Sequence, residues 1–300
     1  MYPSSASFGK SESGIRRVVE AYEKYLPRYG WEVTDDKDNY DISAIHAGTA
    51  TIAPDVAHCH GLYWSNDYAV EPWAWKANEQ VLDGVKRARY TTVPSRWVQE
   101  VFQRDMRFSP IVIPHGIDWW KYTPVYDGQY VLWNKNRNAD ACDPTPVGIL
   151  AKNAPDVHFM STFSPTSLPN LKTTGPMPHA AMMSYLSGCS VYLATVKETF
   201  CIGILEAMAH GKPILSFAYG GALDLVIHGV NGYLAQPGNM EDLLNGLRFC
   251  IKNREELGRN SADMVKEFTW DKAVKKLASV YDACLVEERP LHINEGEYLH

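Results

Sequence analysis

The 300 residues alternate between short apolar runs and longer amphipathic stretches, and this alternation limits the possible folds more than any other feature. Strand-like runs that alternate with helical periodicity predict an α/β architecture built on parallel sheets. The alternation occurs twice, before and after a connector that begins at Pro114-His115-Gly116 and continues to Pro124. The pattern therefore predicts two Rossmann-like domains, with ligands at the carboxyl ends of the strands in the cleft between them.

Composition narrows the class of protein further. The chain is 45% hydrophobic and 21% charged, its formal net charge is −6, and it contains no run of 18 apolar residues. These values exclude disorder, collagen, coiled coil and a membrane-spanning helix, and they argue against a protein coated with positive charge for nucleic acid. The first ten residues lack an apolar signal region, so we expect a cytoplasmic protein. Six sparse cysteines without a CxxC pair predict free, buried thiols.

The most informative local pattern is a pair of glutamates, Glu198 and Glu206, separated by seven residues. A predicted strand precedes the pair, and the predicted helix that begins between them stops at Gly211-Lys212-Pro213. Eight helical residues span about 12 Å, roughly the distance from the sugar of a sugar nucleotide to its ribose. The helix N-terminus favours a diphosphate, and the carboxylates accept hydroxyl hydrogen bonds. By spacing alone, an amphipathic helix with two solvated glutamates is the simpler interpretation.

The residues around this pair resemble the retaining glycosyltransferases of family 4, which have the GT-B fold. The E-x7-E element with its flanking residues is the specific part, and weaker matches cover nearly the whole chain. They lie at residues 13–19, 55–61, 93–97, 113–118, 220–221, 231–232 and 268–270. The resemblance implies an acceptor-side domain at 1–122 and a nucleotide-sugar-binding domain at 123–270, facing each other across a cleft. A C-terminal helix and tail, 271–300, would cross back to the first domain.

The resemblance also implies roles for residues on the donor side. Glu198 would hold hydroxyls of the donor sugar, and Glu206 would bind the ribose hydroxyls. The other donor-binding residues that it implies are Gly14, Thr199, Phe200, Cys201 and Ile202. The backbone N–H groups of the last three would face the sugar and diphosphate. The glycine in the opening loop would let the backbone approach the diphosphate without a Cβ clash.

Loss of a nucleoside diphosphate builds negative charge that a fixed cation and a helix N-terminus can stabilise without a metal. The family has an arginine and a lysine about five residues apart after the first strand of its second domain. Arg137 matches the arginine, but Cys142 or Asp143 falls near the place of the lysine. Lys135 is the candidate for the second charge, and a solvated basic pair in a loop is the alternative. We expect neither a metal nor another cofactor.

Candidate acceptor-side residues are His58, His60 and Trp64. The two histidines are two residues apart at a predicted strand end and so face the same way. A structural or loop-orienting role is the first interpretation, with acceptor contact and metal binding as alternatives. Trp64 belongs to an aromatic segment, 62–75, that could stack on a sugar or nucleobase or form an aromatic plug. The basic run 86–107 could guide a phosphate-rich acceptor, although a solvated helix face is simpler.

Two departures from the family pattern concern the first domain. The chain begins where the first strand should be ending, and the strand with the family's active-site histidine has no counterpart. We therefore expect an abridged acceptor half, as in a compact viral, phage-type or metagenomic member. The predicted reaction is retaining transfer of a hexose from a UDP- or GDP-sugar to a hydroxyl of a glycan, lipid or DNA base. The alternatives are a nucleotide-sugar 2-epimerase of GT-B fold and a non-catalytic nucleotide-sugar-binding module.

Overall fold

The computed structural model describes residues 14–36, 38–46, 53–62, 67, 72–135, 140–164 and 166–286. The chain divides into two compact units. Unit 1 comprises Met1–Leu62, Lys76–Thr92 and Val274–His300, and unit 2 comprises Tyr63–Trp75 and Val93–Ala273. The domain boundaries predicted from the sequence, 1–122, 123–270 and 271–300, divide the chain differently and stay predictions.

Unit 1 is built on parallel strands that pair in the order β1-β2-β3. The strands are β1 (Ala44–His46), β2 (Val56–His58) and β3 (Tyr90–Val93). Helix α1 (Gly14–Tyr25) lies wholly in this unit. Helices α2 (Pro72–Arg87) and α10 (Trp270–Val286) begin in unit 2 and contribute most of their length to unit 1.

Helix α1 forms where the apolar periodicity predicts it. Its residues Val18, Val19, Tyr22 and Tyr25 are buried, which places one apolar stripe of the helix against the rest of unit 1. A 3₁₀ turn that contains a proline follows the helix. Gly30 ends this turn at φ +80°, and its N–H donates to two carbonyls of the turn. A glycine suits this position because the left-handed conformation costs it nothing.

Unit 2 contains a six-stranded sheet in the order β10-β9-β8-β5-β6-β7, in which every pair of strands is parallel. Its strands are β5 (Tyr130–Trp133), β6 (Phe159–Ser161), β7 (Leu171–Thr173), β8 (Cys189–Leu193), β9 (Ile214–Phe217) and β10 (Gly232–Ala235). Its helices in this region are α4 (Thr145–Asn153), α5 (His179–Gly188), α6 (Ile202–Ala209), α7 (Ala222–Leu225), α8 (Met240–Lys252) and α9 (Arg254–Met264). All five residues of β8 are buried, as expected for a central parallel strand covered on both faces.

Helix α3 (Arg96–Met106) and strand β4 (Ile111–Val112) precede this sheet in unit 2. Ser95 caps α3 as predicted, since its hydroxyl accepts a hydrogen bond from Val98 N–H at 3.2 Å. The N–H of Ile113, directly after β4, donates to the carbonyl of Val93 at 2.9 Å.

The two parallel α/β sheets confirm the predicted fold class. Strand β7 was not predicted, because three residues with only one buried side chain give no periodic signal. All six cysteines are free and buried, as their spacing predicted. Of the helices that the structure describes, none has the length and hydropathy needed to cross a membrane.

Candidate active site

The candidate site lies at the carboxyl edge of the sheet in unit 2. Lys135 follows β5, Thr162 follows β6, the loop that holds Glu198 follows β8, and Gly220-Gly221 follows β9. Because these strands are parallel, their carboxyl ends meet at one edge. This is the edge at which open α/β sheets bind ligands.

The backbone of the loop between β8 and α6 packs tightly against the Gly220-Gly221 pair. The N–H of Gly221 donates to the Glu198 carbonyl at 3.0 Å. A Cβ at Gly220 would clash with that same carbonyl, and a Cβ at Gly221 would clash with the backbone of Phe200. The two glycines are therefore required by the close approach of the two loops, which fixes the path of residues 198–200.

Two further hydrogen bonds hold this loop. Lys197 N–H donates to the Ala141 carbonyl at 2.8 Å, and the Ser95 hydroxyl donates to the Thr199 carbonyl at 2.6 Å. Ser95 thus has two functions, because the same oxygen also caps α3. The loop ends at Cys201, which adopts φ +63°, a left-handed conformation that is uncommon for a residue other than glycine.

Helix α6 starts at Ile202, so its N-terminus lies between Glu198 and Glu206 in the sequence. No described side chain caps this end of the helix. The first N–H groups of a helix have no partner within the helix, and they carry the positive end of its dipole. The backbone N–H groups at this end of α6 could therefore bind a phosphate-sized anion between the two carboxylates.

Lys135 and Glu198 form an ion pair at the site, with 3.1 Å between Nζ and Oε2. The lysine side chain is 9% exposed and the glutamate side chain is 28% exposed. Burial opposes the charged form of Lys135, but Cys201 and Glu198 outweigh burial and hold its pKa well above its ordinary value. Burial raises the pKa of the Cys201 thiol, so the anionic partner at neutral pH is Glu198. The site thus holds a fixed cation.

The position of Lys135 is fixed by its backbone. Its N–H donates to Thr162 Oγ1 at 2.8 Å, and the Thr162 hydroxyl donates to the Lys135 carbonyl at 2.6 Å. The neighbouring Asn134 accepts a hydrogen bond from the Tyr192 hydroxyl at 2.8 Å. Gly203 leaves room for these groups, because a Cβ there would come within 2.5 Å of that hydroxyl.

Glu206 is buried in α6, and its carboxylate is bonded to a histidine that the sequence analysis did not identify. His179 Nε2 lies 2.7 Å from Glu206 Oε1. The glutamate side chain is 7% exposed and the histidine side chain is 40% exposed. A carboxylate accepts but does not donate, so Nε2 must carry the proton of this bond. His179 begins α5, and 27 residues separate it from its partner in the chain.

Unit 1 holds the two predicted acceptor-side histidines. His58 is 3% exposed, and its two ring nitrogens bond to Thr92 Oγ1 at 2.6 Å and Tyr281 Oη at 3.0 Å. His60 Nε2 lies 3.1 Å from His46 Nδ1, and the His46 ring stacks on His58 with 4.4 Å between centroids. Both ring nitrogens of His58 are thus engaged within unit 1. A contact with an acceptor stays a prediction.

Other predicted residues are placed as follows. Arg137 and Trp64 lie outside the described residues. Gly14 is the exposed first residue of α1. In the aromatic segment, Trp73 and Trp75 are exposed in the first turn of α2. Among the residues that the structure describes, no group of three or more acidic, histidine or cysteine side chains could hold a metal ion.

The basic run is partly neutralised by acidic neighbours. Arg87 pairs with Asp83 one helical turn away. Arg104 pairs with Asp67 at 2.7 Å and with Asp105 at 2.6 Å. Exposed ion pairs of this kind contribute little to stability, but they reduce the local positive charge. A role for this run in acceptor binding stays a prediction.

The sequence of this region matches a known protein family. Residues 167–268 match the family Glycosyl transferases group 1. The matched stretch begins before β7 and ends after α9, and it contains Glu198, Glu206, His179 and Cys201. It therefore includes both glutamates of the pair but not Lys135.

Curated relatives match over the same part of the chain. The uncharacterized glycosyltransferase MJ1178 of Methanocaldococcus jannaschii is 31% identical over 120 residues, which are 39% of this chain and 34% of that protein. The sulfoquinovosyl transferase SQD2 of Arabidopsis thaliana is 27% identical over 118 residues, which are 37% and 23% of the two chains. The chain thus spans about a third or less of the length of these relatives.

Solved structures extend the likeness to most of the fold. Anabaena Alr3699/HepE in complex with UDP-glucose has a TM-score of 0.63 and 20% identity, covering 76% of this chain and 72% of that chain. A glycosyltransferase from Rickettsia africae ESF-5 has a TM-score of 0.63 and 13% identity, covering 93% and 84%. At these identities the likeness shows the fold alone, which is that of GT-B glycosyltransferases.

Proposed function

We propose that this protein is a retaining glycosyltransferase that moves a hexose from a nucleoside-diphosphate sugar to a hydroxyl group. The observation that supports this most directly is the arrangement at the carboxyl edge of the sheet in unit 2. There the N-terminus of α6 follows Glu198, which pairs with a buried cation, and precedes the buried Glu206. The solved complex of Anabaena HepE with UDP-glucose supports the same donor class.

In the proposed reaction, the bond between the anomeric carbon and the diphosphate oxygen breaks, and the acceptor oxygen bonds to that carbon on the same face. The acceptor proton passes to the departing diphosphate oxygen, so no protein nucleophile is needed. Lys135 is held in place by its backbone, so it can stabilise the charge that develops on the diphosphate without reorganisation. Arg137 would add a second cation, as the family resemblance implies.

The donor would bind along α6. Glu198 would accept hydrogen bonds from hydroxyls of the hexose, and Glu206 would accept them from the ribose. Lys135 and Glu198 form an ion pair in this structure. The diphosphate would then replace Glu198 as the principal partner of the ammonium, leaving the carboxylate to the sugar.

The donor is identified by thermal denaturation against a panel of UDP- and GDP-sugars. Because stabilisation grows with ligand concentration relative to Kd, the correct donor should give the largest rise in Tm. Nucleoside diphosphate release is then measured with glycan, lipid and DNA acceptors, and NMR of the product reports the anomeric configuration. Free epimer formed from donor alone would indicate an epimerase. Binding without turnover of any acceptor would indicate a binding module.

The role of the cation is tested with Lys135→Ala. We expect a loss of transfer of about 100-fold, the usual effect of removing one group that stabilises developing charge. The matched control is Lys152→Ala, because Lys152 is an exposed lysine in the last turn of α4. Transfer by Lys135→Ala at the rate of the control would show that Lys135 does not act on the leaving group.

A further inference from the structure

We propose that His179 is a positioning residue that holds the Glu206 carboxylate for recognition of the ribose 2′- and 3′-hydroxyls. This inference rests on the proposed function, since it concerns the nucleotide half of the same donor site. It adds to that site a residue, His179, that acts on the ribose only through Glu206.

The geometry of the pair supports this role. Glu206 Oε1 lies 2.7 Å from His179 Nε2, within the range of a strong hydrogen bond to a charged group. A buried carboxylate needs such a donor, because burying an ionised group without one is costly. A carboxylate has about four acceptor positions, so the bond to His179 leaves capacity for ligand hydroxyls.

The position of His179 in its helix explains why its ring reaches Glu206. The buried residues of α5 are Met182 and Leu186, three and seven positions after His179. Residues at this spacing lie on one stripe of a helix, so His179 continues the inward face of α5 at its first turn. The histidine is 40% exposed there, whereas its partner is 7% exposed. One side of the His179 ring is therefore exposed to solvent, while its Nε2 contacts the buried carboxylate of Glu206.

Tyr192 and His210 are two described residues that also interact electrostatically with Glu206. Burial raises the pKa of Tyr192 well above its ordinary value and lowers the pKa of His210, so both are neutral at pH 7.5. The hydrogen bond that the structure shows to Oε1 comes from His179.

The test compares ribonucleotides with deoxyribonucleotides. UDP, GDP and their 2′,3′-dideoxy counterparts are titrated calorimetrically against the wild type, His179→Ala, His179→Gln and Glu206→Ala. We expect His179→Ala to weaken binding of the preferred ribonucleotide by about tenfold and binding of its deoxy counterpart by less than about twofold. His179→Gln should recover most of the affinity, because its amide can donate the same hydrogen bond.

The double variant His179→Ala/Glu206→Ala should bind no more weakly than Glu206→Ala, since His179 acts through Glu206. The exposed residue His158 supplies the matched control, His158→Ala. Equal losses for the ribo and deoxy nucleotides, or an additive double variant, would overturn the positioning role. A wild type that binds neither UDP nor GDP would instead contradict the proposed function.

Discussion

Lowering the pH from 7.5 to 5.0 should destabilise unit 1 through His58. This residue is 3% exposed, lies at the end of β2, and bonds to Thr92 and Tyr281 through its two nitrogens. Burial, and then the nearby His60, lower its pKa from 6.5 to about 3. The folded protein therefore keeps this imidazole neutral over a pH range in which the unfolded chain takes up a proton.

The size of the effect follows from the two pKa values. Because the pKa is lower in the folded state, the stability that His58 contributes is complete above pH 6.5 and is lost as the pH falls towards 3. At pH 5.0 the loss is about 2 kcal/mol, and at pH 3 it reaches about 4 kcal/mol. Burial also lowers the pKa of His60, to about 4, which acts in the same direction.

The assay is hydrogen exchange read by mass spectrometry, because it reports unit 1 separately from unit 2. The opening free energy of peptides that cover β2 and α10 is measured at pH 7.5 and 5.0, after correction for the intrinsic exchange rates. The decrease should be about 2 kcal/mol larger in the wild type than in His58→Gln, in which His60 still titrates. Glutamine keeps a donor and an acceptor but cannot titrate. Peptides from β8 in unit 2 serve as the internal control.

The same decrease in His58→Gln as in the wild type would refute this reasoning, whatever the stability of the variant at pH 7.5. A second measurement remains available if the variant does not fold. NMR titration of the histidine ring protons of the wild type should show that His58 stays neutral down to about pH 4. Titration of this ring near pH 6.5 would equally contradict the account.

Two further predictions concern the candidate active site. Glu206→Ala should weaken nucleoside diphosphate binding by tenfold or more, whereas Glu198→Ala should mainly reduce sugar transfer. Calorimetry measures the first effect and turnover assays measure the second. Unchanged nucleotide binding by Glu206→Ala would contradict the ribose role of Glu206. Cys201 adopts φ +63°, a conformation that glycine accommodates and a β-branched residue does not. Cys201→Gly should therefore change the unfolding free energy by less than about 1 kcal/mol, whereas Cys201→Val should lower it by about 2 kcal/mol. Equal stability of the two variants in denaturant titrations would show that this backbone conformation is not strained.

Much of the fold could be predicted from local patterns. The apolar stripe of α1, the glycine that ends the 3₁₀ turn after it, and the serine cap of α3 are signals that operate within a few residues. The boundaries shifted where the signal was weaker. Helix α2 begins at Pro72 rather than at residue 77, because the first turn of a helix accommodates proline, and Trp73 and Trp75 in that turn are exposed.

The pairing of Lys135 with Glu198 spans 63 residues, yet the sequence placed both residues at the site. The reason is topological. They follow β5 and β8, which the alternating pattern predicted, and parallel strands bring their carboxyl ends to one edge. The family resemblance implied the lysine as a cation near the donor, and this topology explains why it lies close to Glu198; the ion pair itself could not be predicted.

His179 was missed because β7 was missed. Once Leu171–Thr173 is a strand of the parallel sheet, the helix that follows it must begin at the carboxyl edge, and its first residue must lie near the other loops of that edge. Without that strand, His179 was only the first residue of an apolar helix. The inference that His179 acts in ribose recognition thus depends on where β7 places α5, although β7 carried the weakest sequence signal. A ribose-specific loss of affinity in His179→Ala would support the role of His179 and this placement of α5.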